Sequence, residues 1–333
     1  MKITVITNFD EISREKLVKT APEADIVWAF DQNSSYLVRE PLDLPKYKDD
    51  LVTSDVVIGA PPVSLLPEMK KLKLLSLSMA GTEPYSLPGV LSKDVALCNS
   101  TGAFGKAISE HMLASIMMLI KKLHLYRDDM PSGLWADRGS VRSLSDMTVL
   151  CVGLGDIGCA FAKLCKRMGA KVIGVRRHGT TKPDYVDEVV LSDKLDEVLP
   201  LADVVALSVP GNKETAGLFS KERLARMKKD SYILNVGRGS AIDSTALFDA
   251  LESGHLAGAA IDVTDPEPLP ADHVLWQAKN CLITPHVSGF YHLRETYDRI
   301  VDIACENLRR FMNDEPLLTP VDRNTGYRVT QKY

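Results

Sequence analysis

Short apolar runs alternate with amphipathic segments along most of this chain. In the first part, apolar runs lie at 3–6, 24–30, 56–58, 74–77 and 95–98. Segments between them, such as 11–21 and 62–72, carry apolar residues at the spacing of one helix face. An alternation of buried strands and helices is typical of an α/β fold, so we predict a parallel sheet here.

The same alternation continues through the second part of the chain. Predicted strands are 149–152, 171–175, 186–190, 204–209, 231–236, 257–263 and 281–284, and predicted helices are 195–199, 221–228, 244–253 and 297–312. Strict alternation of this kind favours a doubly wound parallel sheet with helices on both faces. Because the chain has 333 residues, it is long enough for two such domains, and the polar, glycine-containing junction at 99–105 is the expected first crossover between them.

One predicted helix, 106–126, is apolar on nearly all sides. Such a helix is either a core helix or one that a second subunit covers, and the pattern leaves both readings open. The following segment, 127–144, contains Pro131, Trp135 and several charges, and is too long and irregular for a simple connector. It is a candidate arm that packs on a partner chain.

Composition narrows the possible partners. The formal net charge is −4 and no long basic run is present, which disfavours nucleic-acid binding. The six cysteines lack the close spacings of metal sites and lie mostly in apolar runs, as expected for core residues in a reducing compartment, so no metal is predicted. A signal-peptide pattern and an apolar stretch of membrane-spanning length are both absent from the sequence. We therefore expect a cytoplasmic protein, away from membranes, that acts on a small molecule.

A glycine motif stands where the strand 149–152 turns into a helix. Gly153, Gly155 and Gly158 form the pattern GxGxxG. The first glycine permits a tight turn, the second allows the backbone to approach a pyrophosphate, and the third allows close helix–strand packing. Since free N–H groups at the helix start attract phosphate, the motif in this strand–turn–helix context predicts dinucleotide binding.

Three chemically capable side chains follow three later strands. Arg238 lies between two glycines after the strand 231–236, Glu267 lies between two prolines after 257–263, and His286 follows 281–284. Ligands in such sheets bind beyond the carboxyl ends of the strands. An arginine can hold a carboxylate, and a histidine beside a carboxylate can exchange a proton. Each residue alone is more typical of a surface or capping position, but together they favour an acid/base site.

The sequence resembles the D-isomer-specific 2-hydroxyacid dehydrogenase family. The matching segments are VGLGDIG (152–158), NVGRGS (235–240), AIDVTDPEPLP (260–270), HVLW (273–276) and ITPHVSG (283–289). Their order and spacing agree over nearly the whole chain, which makes the set far more specific than GxGxxG alone. The resemblance implies a Rossmann-type doubly wound parallel sheet domain, 100–287, inserted into a smaller flavodoxin-like α/β substrate domain made of 1–99 and 288–333.

The resemblance also implies an activity and residue roles. The activity is NAD(P)-dependent reduction of a small 2-oxo acid, such as glyoxylate or hydroxypyruvate, to the D-2-hydroxy acid, in a protein that is typically a homodimer. His286 would be the general acid/base, Glu267 its partner and Arg238 the residue that orients substrate, while Asp262 would contact the nicotinamide carboxamide. The cofactor-binding set is Gly153, Gly155, Asp156, Ile157, Gly158, Arg176, Arg177, Val209, Pro210, Thr215, Val236, Gly237, Arg238, Asp262, His286 and Gly289.

A turn in the substrate domain departs from the common family pattern. Met79, Ala80 and Gly81 follow the strand 74–77 and form the predicted substrate-binding set together with Arg238 and His286. Backbone N–H groups near Ala80 and Gly81 are expected to bind the substrate carboxylate. Met79 replaces a small polar residue of the common pattern, so it either fills a gap or reshapes the substrate pocket.

A second departure concerns the cofactor. Family members that use NAD have an acidic residue at the end of the second nucleotide-domain strand, where it accepts hydrogen bonds from the ribose hydroxyls. This chain has Arg176 and Arg177 there, and an arginine pair attracts a 2′-phosphate instead. We expect NADP to be favoured over NAD. The alternative is a solvated charge cluster that leaves NAD usable.

Two other functions fit parts of the pattern. A nucleotide-sensing binding protein, similar to the C-terminal-binding-protein corepressors, would keep the same residues and retain residual dehydrogenase activity, but the chain lacks the long disordered extensions of such proteins. A methyltransferase or flavoprotein would explain the glycine motif, but it would not explain Arg238, Glu267 and His286 at their spacing.

Overall fold

The structure is a computed structural model that describes residues 1–30, 42–289, 292–323 and 326–328. The chain forms two compact units, Met1–Phe104 with Phe290–Tyr333, and Gly105–Gly289. The sequence-based division placed the crossovers after residues 99 and 287, and the substrate and nucleotide roles given to the two parts remain predictions.

The helices and strands are numbered in chain order. The strands are β1 (Lys2–Val5), β2 (Asp25–Trp28), β3 (Val56–Ile58), β4 (Leu74–Ser76), β5 (Ala96–Cys98), β6 (Thr148–Val152), β7 (Lys171–Arg176), β8 (Glu188–Leu191), β9 (Val204–Leu207), β10 (Ser231–Asn235), β11 (Leu256–Ile261), β12 (Cys281–Ile283), β13 (Val321–Asp322) and β14 (Tyr327–Arg328). The α-helices are α1 (Glu11–Thr20), α2 (Leu44–Thr53), α3 (Gly105–Ile120), α4 (Leu123–Asp129), α5 (Asp156–Arg167), α6 (Leu195–Val198), α7 (Lys221–Arg226), α8 (Ser244–Glu252) and α9 (Arg294–Met312). The 3₁₀ helices are Val63–Glu68, Met130–Ser132, Leu144–Asp146, Ser192–Lys194, Leu199–Leu201, Gly239–Ala241 and Val274–Gln277.

The first unit contains a five-stranded parallel sheet in the order β2-β1-β3-β4-β5. This is the flavodoxin-like order, so the predicted architecture is confirmed. Helix α9 belongs to this unit, and its buried Tyr297 and Leu308 share a core with Ile3 and Val5 of β1. The Tyr297 hydroxyl also accepts a hydrogen bond of 2.8 Å from the amide of Asp10, the residue that caps α1. Helix α9, from the last part of the chain, thus completes the core of the unit formed by the first part.

The second unit contains a seven-stranded parallel sheet in the order β12-β11-β10-β9-β6-β7-β8. The sequence of strands turns back beside β6, which makes the carboxyl end of β6 a topological switch point. A continuous core of Leu, Val and Ile side chains lies along the sheet, with Leu150, Ile173, Val205 and Ile233 fully buried. The predicted doubly wound fold is therefore confirmed.

Several predicted elements differ from the observed ones. The single helix expected over 106–126 is two helices, α3 and α4, because Lys122 between them has a left-handed backbone with φ of 57°. Its ammonium donates to the carbonyl of Arg138 at 2.6 Å, and that of Lys121 donates to the carbonyl of Arg142 at 2.8 Å. The segment that contains Arg138 and Arg142 thus contacts the junction between α3 and α4. Within the segment 62–72, only Val63–Glu68 is helical, as a 3₁₀ helix with Pro67 inside it. Helix α2 and strands β13 and β14 were not predicted.

The amino end of β9 carries a buried carboxylate. Asp203 is 3% exposed and accepts hydrogen bonds from Arg142 (2.6 Å), Lys228 (2.8 Å) and the amide of Thr148 (2.9 Å). Burial raises the pKa of Asp203, but these three partners outweigh burial and hold its pKa below the usual value. The group therefore links the segment before β6 to the start of β9 and to the segment before β10.

Within the described ranges, no helix is both long enough and apolar enough to cross a membrane. In the same residues, no cluster of three or more histidine, cysteine, aspartate or glutamate side chains could hold a metal ion.

Candidate active site and dinucleotide site

The glycine turn lies at the switch point of the larger sheet. Gly153 has φ of +99°, and a Cβ on Gly158 would lie 1.8 Å from the carbonyl oxygen of Gly153, so only glycine fits there. Helix α5 begins with Gly155 as its N-cap, and no side chain caps it. The Ser208 hydroxyl, beyond β9, donates to the Gly153 carbonyl at 3.1 Å and holds the turn. The uncapped helix start and the close backbone fit the pyrophosphate of a dinucleotide.

The first turn of α5 also anchors the start of helix α3. Asp156 accepts a hydrogen bond of 2.9 Å from the amide of Gly105, the first residue of α3. Its carboxylate therefore has a structural partner, and a contribution to cofactor binding from Asp156 and the next residue, Ile157, remains a prediction.

The predicted residues beyond β9 and β10 lie in two turns that approach each other closely. A Cβ on Gly237 would lie 2.4 Å from the carbonyl oxygen of Val209, which explains the glycine at this position. Val236 is buried beside it. The Thr215 hydroxyl donates to the carbonyl of Pro210 at 2.6 Å and closes the first turn. These contacts shape the rim of the sheet next to the glycine turn.

The two residues predicted to form a catalytic pair lie in contact, and their catalytic role remains a prediction. Nδ1 of His286 lies 2.9 Å from Oε2 of Glu267, while Oε1 of Glu267 accepts a hydrogen bond of 3.0 Å from the amide of Thr264. The carboxylate is thus held from one side and orients the imidazole from the other. The His286 side chain is 52% exposed, so the ring can meet a ligand. With Nδ1 bound to Glu267, Nε2 is the nitrogen left to exchange a proton.

A buried carboxylate holds the turn that carries His286. Asp262 is 3% exposed and accepts hydrogen bonds from the hydroxyl of Thr284 (2.5 Å), the amide of Val287 (3.0 Å) and the amide and hydroxyl of Ser288. Its carbonyl oxygen accepts from the amide of His286 at 2.8 Å. His286 itself has φ of 53°, a strained value for a residue other than glycine. The contacts of Asp262 therefore hold the chain on both sides of His286, from Thr284 to Ser288.

The network continues into helix α3. Nε2 of His111 lies 3.3 Å from Oγ1 of Thr284. Because the Thr284 hydroxyl donates its proton to Asp262, its oxygen is the acceptor for His111. His111, Thr284 and Asp262 thus form a connected series behind the His286 turn.

The arginine of the predicted site lies on a separate, rigid turn. Asn235 is fully buried at the end of β10, accepts from the amide of Gly237 (3.0 Å) and donates to the carbonyl of Arg238 (2.9 Å). Arg238 donates back to the carbonyl of Gly237 at 2.8 Å. Since β10, β11 and β12 are neighbours and parallel, the turns of Arg238, Glu267 and His286 leave the same edge of the sheet.

The predicted arginine pair lies at the end of β7. Arg176 Nε is buried and has no hydrogen-bond partner among the described residues, whereas Arg177 is exposed and its Nη1 lies 3.2 Å from Oε2 of Glu214. A buried donor without a partner is costly, so it is suited to an anionic ligand group. The pair fits a phosphate at this end of the dinucleotide site.

The predicted carboxylate-binding turn belongs to the first unit and follows β4. Ser100 donates its amide to the Met79 carbonyl at 3.0 Å, and the Asn99 side chain donates to the Ala80 carbonyl at 2.6 Å. These bonds use carbonyl groups of the turn. Within the described residues, no hydrogen bond is donated by the amides of Ala80 and Gly81. They are therefore suited to an anion, although their role in substrate binding remains a prediction.

Comparisons with known proteins agree with the fold and with the family resemblance. The family model for the D-isomer specific 2-hydroxyacid dehydrogenase, NAD binding domain, matches residues 113–288. A hydroxypyruvate reductase of Blautia hydrogenotrophica is 40% identical over 166 residues, 50% of this chain and 50% of that protein. A glyoxylate reductase of Thermofilum pendens is 28% identical over 273 residues, 80% of this chain and 77% of that protein.

A solved structure extends the likeness to almost the whole chain. The D-isomer specific 2-hydroxyacid dehydrogenase from Xanthobacter autotrophicus Py2, in complex with NADPH and MES, has a TM-score of 0.80 and 25% sequence identity, and the match covers 98% of this chain and 99% of that one. The fold and the glycine turn are those of a dinucleotide-binding protein. The chain belongs to the D-isomer specific 2-hydroxyacid dehydrogenase family, a family of NAD(P)-dependent enzymes.

Sequence reasoning missed the residues that support the site. Thr284 and Ser288 lie within a quoted motif but received no role, and Glu214 and Ser208 were not singled out. Glu110 and His111 resemble the family's interdomain entry, but the contact of His111 with Thr284 was not predicted. Their partners are distant in the sequence, so one chain without its fold carries little signal for them.

Proposed function

We propose that this protein reduces a small 2-oxo acid, of the glyoxylate or hydroxypyruvate kind, to the D-2-hydroxy acid. The observation that carries this proposal is the 2.9 Å contact between His286 and Glu267 on the same sheet edge as Arg238. The nicotinamide cofactor supplies the hydride when it is bound. The chain's own residues must then hold the substrate carboxylate and deliver a proton to the carbonyl oxygen.

His286 is the proton donor in this proposal. Glu267 attracts the imidazolium form and keeps Nδ1 engaged, so Nε2–H points its proton to a ligand. As negative charge develops on the substrate carbonyl oxygen, Nε2 donates its proton there, and the neutral imidazole regains a proton from water. The reverse reaction uses the same nitrogen as the base.

Arg238 is the residue that orients the substrate. Its guanidinium can bind a carboxylate through two parallel hydrogen bonds, which a lysine at this position could not reproduce. Met79, Ala80 and Gly81 are the other proposed substrate-binding residues, because the backbone amides of Ala80 and Gly81 can bind a carboxylate.

The test is turnover of glyoxylate and hydroxypyruvate with NADPH and with NADH, followed by chiral analysis of the glycerate formed. We expect the D product, and a loss of about 100-fold or more in kcat for His286→Gln. Arg238→Ala is expected to abolish reduction of both acids. The surface variant Glu252→Gln, at the end of α8, is the matched control. Near-normal turnover in either site variant would reject the assignment.

We also propose that NADP is preferred over NAD. Arg176 and Arg177 place two positive charges at the end of β7, and Arg176 Nε is a buried donor with no partner among the described residues. A 2′-phosphate would satisfy such a donor, whereas ribose hydroxyls need an acceptor. The ratio of kcat/KM for NADPH and NADH decides this point, and a strong preference for NADH would refute it.

A homodimer is the proposed assembly. Apolar side chains after α3 are exposed, among them Met130 (70%), Leu134 (52%) and Trp135 (101%). Such a cluster is typical of a surface that another chain covers. Light scattering is expected to give twice the 36.6 kDa mass of the chain, and Trp135→Ser to shift the protein toward the monomer. A monomer at micromolar concentration would contradict the proposal.

A further inference from the structure

An ion pair crosses the switch point of the nucleotide-binding sheet. Arg177 follows β7 and Glu214 lies in the turn after β9, and the strand between β7 and β9 is β6. Nη1 of Arg177 and Oε2 of Glu214 are 3.2 Å apart. The pair therefore spans the carboxyl end of β6, where the glycine turn begins and where a dinucleotide binds in this fold.

The turn after β9 holds Glu214 in place. Asn212 Oδ1 accepts hydrogen bonds from the amides of Glu214 (2.9 Å) and Thr215 (3.1 Å), and the Asn212 amide donates to the Thr215 hydroxyl at 3.0 Å. The Thr215 hydroxyl in turn donates to the carbonyl of Pro210. These bonds hold the backbone of Glu214 at a position from which its carboxylate reaches Arg177.

A phosphate group can replace Glu214 as the partner of Arg177. The side chain of Glu214 is 68% exposed and that of Arg177 is 35% exposed, so water and salt screen their attraction. A phosphate dianion carries more charge than a carboxylate and has three acceptor oxygens. It can therefore displace Glu214 from Arg177, but it must overcome both the existing contact and repulsion by the displaced carboxylate.

We propose that Glu214 is a specificity-determining residue that competes with the 2′-phosphate of NADP for Arg177. This inference rests on the cofactor site of the proposed function and goes beyond it, because it identifies a carboxylate that opposes the arginine pair. Glu214 weakens binding of nucleotides that carry a 2′-phosphate and leaves nucleotides without one little affected. The balance between Arg177 and Glu214 thus sets how strongly the two cofactors are discriminated.

The test uses nucleotide fragments, so it requires no turnover. Isothermal titration calorimetry measures Kd for adenosine 2′,5′-bisphosphate and for AMP, with the wild type, Glu214→Gln and the control Glu252→Gln. Glutamine keeps the shape of Glu214 and removes its charge. We expect Glu214→Gln to tighten the bisphosphate by about 3- to 10-fold and to change AMP binding by less than about twofold. The control variant is expected to match the wild type for both ligands.

A double-mutant cycle with Arg177→Ala shows whether the effect passes through Arg177. If Glu214 competes for this guanidinium, Glu214→Gln will improve bisphosphate binding much less in the Arg177→Ala background. Equal improvement in both backgrounds would reduce Glu214 to a general charge effect and overturn the proposal. Weaker AMP binding in Glu214→Gln would also overturn it, since Glu214 would then be an acceptor for the ribose hydroxyls.

These outcomes are separate from those of the enzyme assay. Failure to reduce 2-oxo acids would reject the proposed activity and leave the fragment affinities interpretable. Conversely, an active reductase whose fragment affinities do not respond to Glu214→Gln would retain its activity assignment and lose this specificity residue.

Discussion

Two ends of the same sheet edge are built in different ways. Beyond β11 and β12, the buried carboxylate of Asp262 accepts several hydrogen bonds and fixes the strained backbone of His286. Beyond β7 and β9, the contact between Arg177 and Glu214 is an ion pair between partly or largely exposed side chains. A reaction that needs a proton at one position requires the first kind of support, whereas cofactor preference can be adjusted through the second.

The physical difference lies in the cost of losing one partner. When a buried carboxylate that accepts several hydrogen bonds is replaced, some of its donors lose their acceptor. Each buried donor without an acceptor destabilises the fold, because the local dielectric is low. An exposed pair is screened, and water replaces either partner. The comparison therefore predicts large effects at the His286 turn and small effects at the Arg177 edge.

The largest effect is expected for Asp262→Asn. Asparagine has the same size but offers one oxygen in place of two, so the donors of Val287, Ser288 and Thr284 can no longer all be satisfied. We expect kcat to fall about 100-fold, as for a displaced catalytic group, with little change in cofactor Kd. The measurements are steady-state kinetics and cofactor titration by fluorescence, with Asp272→Asn on the surface as control. A large rise in cofactor Kd at unchanged kcat would favour contact with the nicotinamide carboxamide instead.

Asp203→Asn separates the effect of a buried, hydrogen-bonded carboxylate on stability from its effect on catalysis. Asp203 is also a buried carboxylate with several donors, but it lies at the amino end of β9. We expect a loss of about 2–3 kcal/mol in the free energy of unfolding at pH 7 and an unchanged kcat. Urea titration of the wild type and the variant measures this difference.

The pH dependence of that loss has a definite sign. Because the pKa of Asp203 is lowered in the folded protein, its stabilisation is fully present above the unfolded-state value of about 4. It declines as the pH falls below that value and through the folded-state pKa. The stability difference between wild type and Asp203→Asn should therefore narrow at pH 3, and a constant difference from pH 7 to pH 3 would mean that the charge of Asp203 contributes nothing.

Much of the candidate site could be predicted from the sequence because its residues lie in local motifs. Gly153, Gly155 and Gly158 are dictated by one tight turn, and Arg238, Glu267 and His286 each follow a strand whose apolar run is visible. Parallel topology then brings three strand ends to one edge. The alternation of strands and helices predicted parallel α/β folding in both parts, and the family resemblance added the Rossmann-type and flavodoxin-like architectures that the structure confirms.

The remaining features depend on contacts between distant residues. The break at Lys122 arises from a left-handed residue inside an apolar pattern that continues past it, so periodicity alone predicted a single helix. The partners of Asp262 lie 22 to 26 residues away, and Glu214 lies 37 residues from Arg177. Neither of these sequence separations is marked by a recognisable sequence motif. The contacts of such polar residues can be predicted only when the strand order is known.

Thr284 tests the link between α3 and the His286 turn. Thr284→Val keeps the shape of the side chain and removes the hydroxyl that connects His111 to Asp262. We expect kcat to fall about tenfold with substrate KM little changed, and Thr284→Ser to restore most of the rate because it returns the hydroxyl. A near-normal rate for Thr284→Val together with a loss for Thr284→Ser would point to packing of the methyl group and not to the hydrogen bond.

The smallest effect, and the one that separates the two ends most directly, is that of ionic strength. Raising the salt concentration from about 0.05 M to 0.5 M shortens the range of charge interactions in water several-fold. At the exposed Arg177 edge, this should raise the KM for NADPH about threefold or more relative to that for NADH, because only NADPH carries the 2′-phosphate. The His286 turn relies on buried hydrogen bonds, so kcat at saturating cofactor should stay nearly constant. If kcat fell with salt while the two KM values moved together, the contrast between a His286 turn held by buried hydrogen bonds and an exposed Arg177 edge would be wrong.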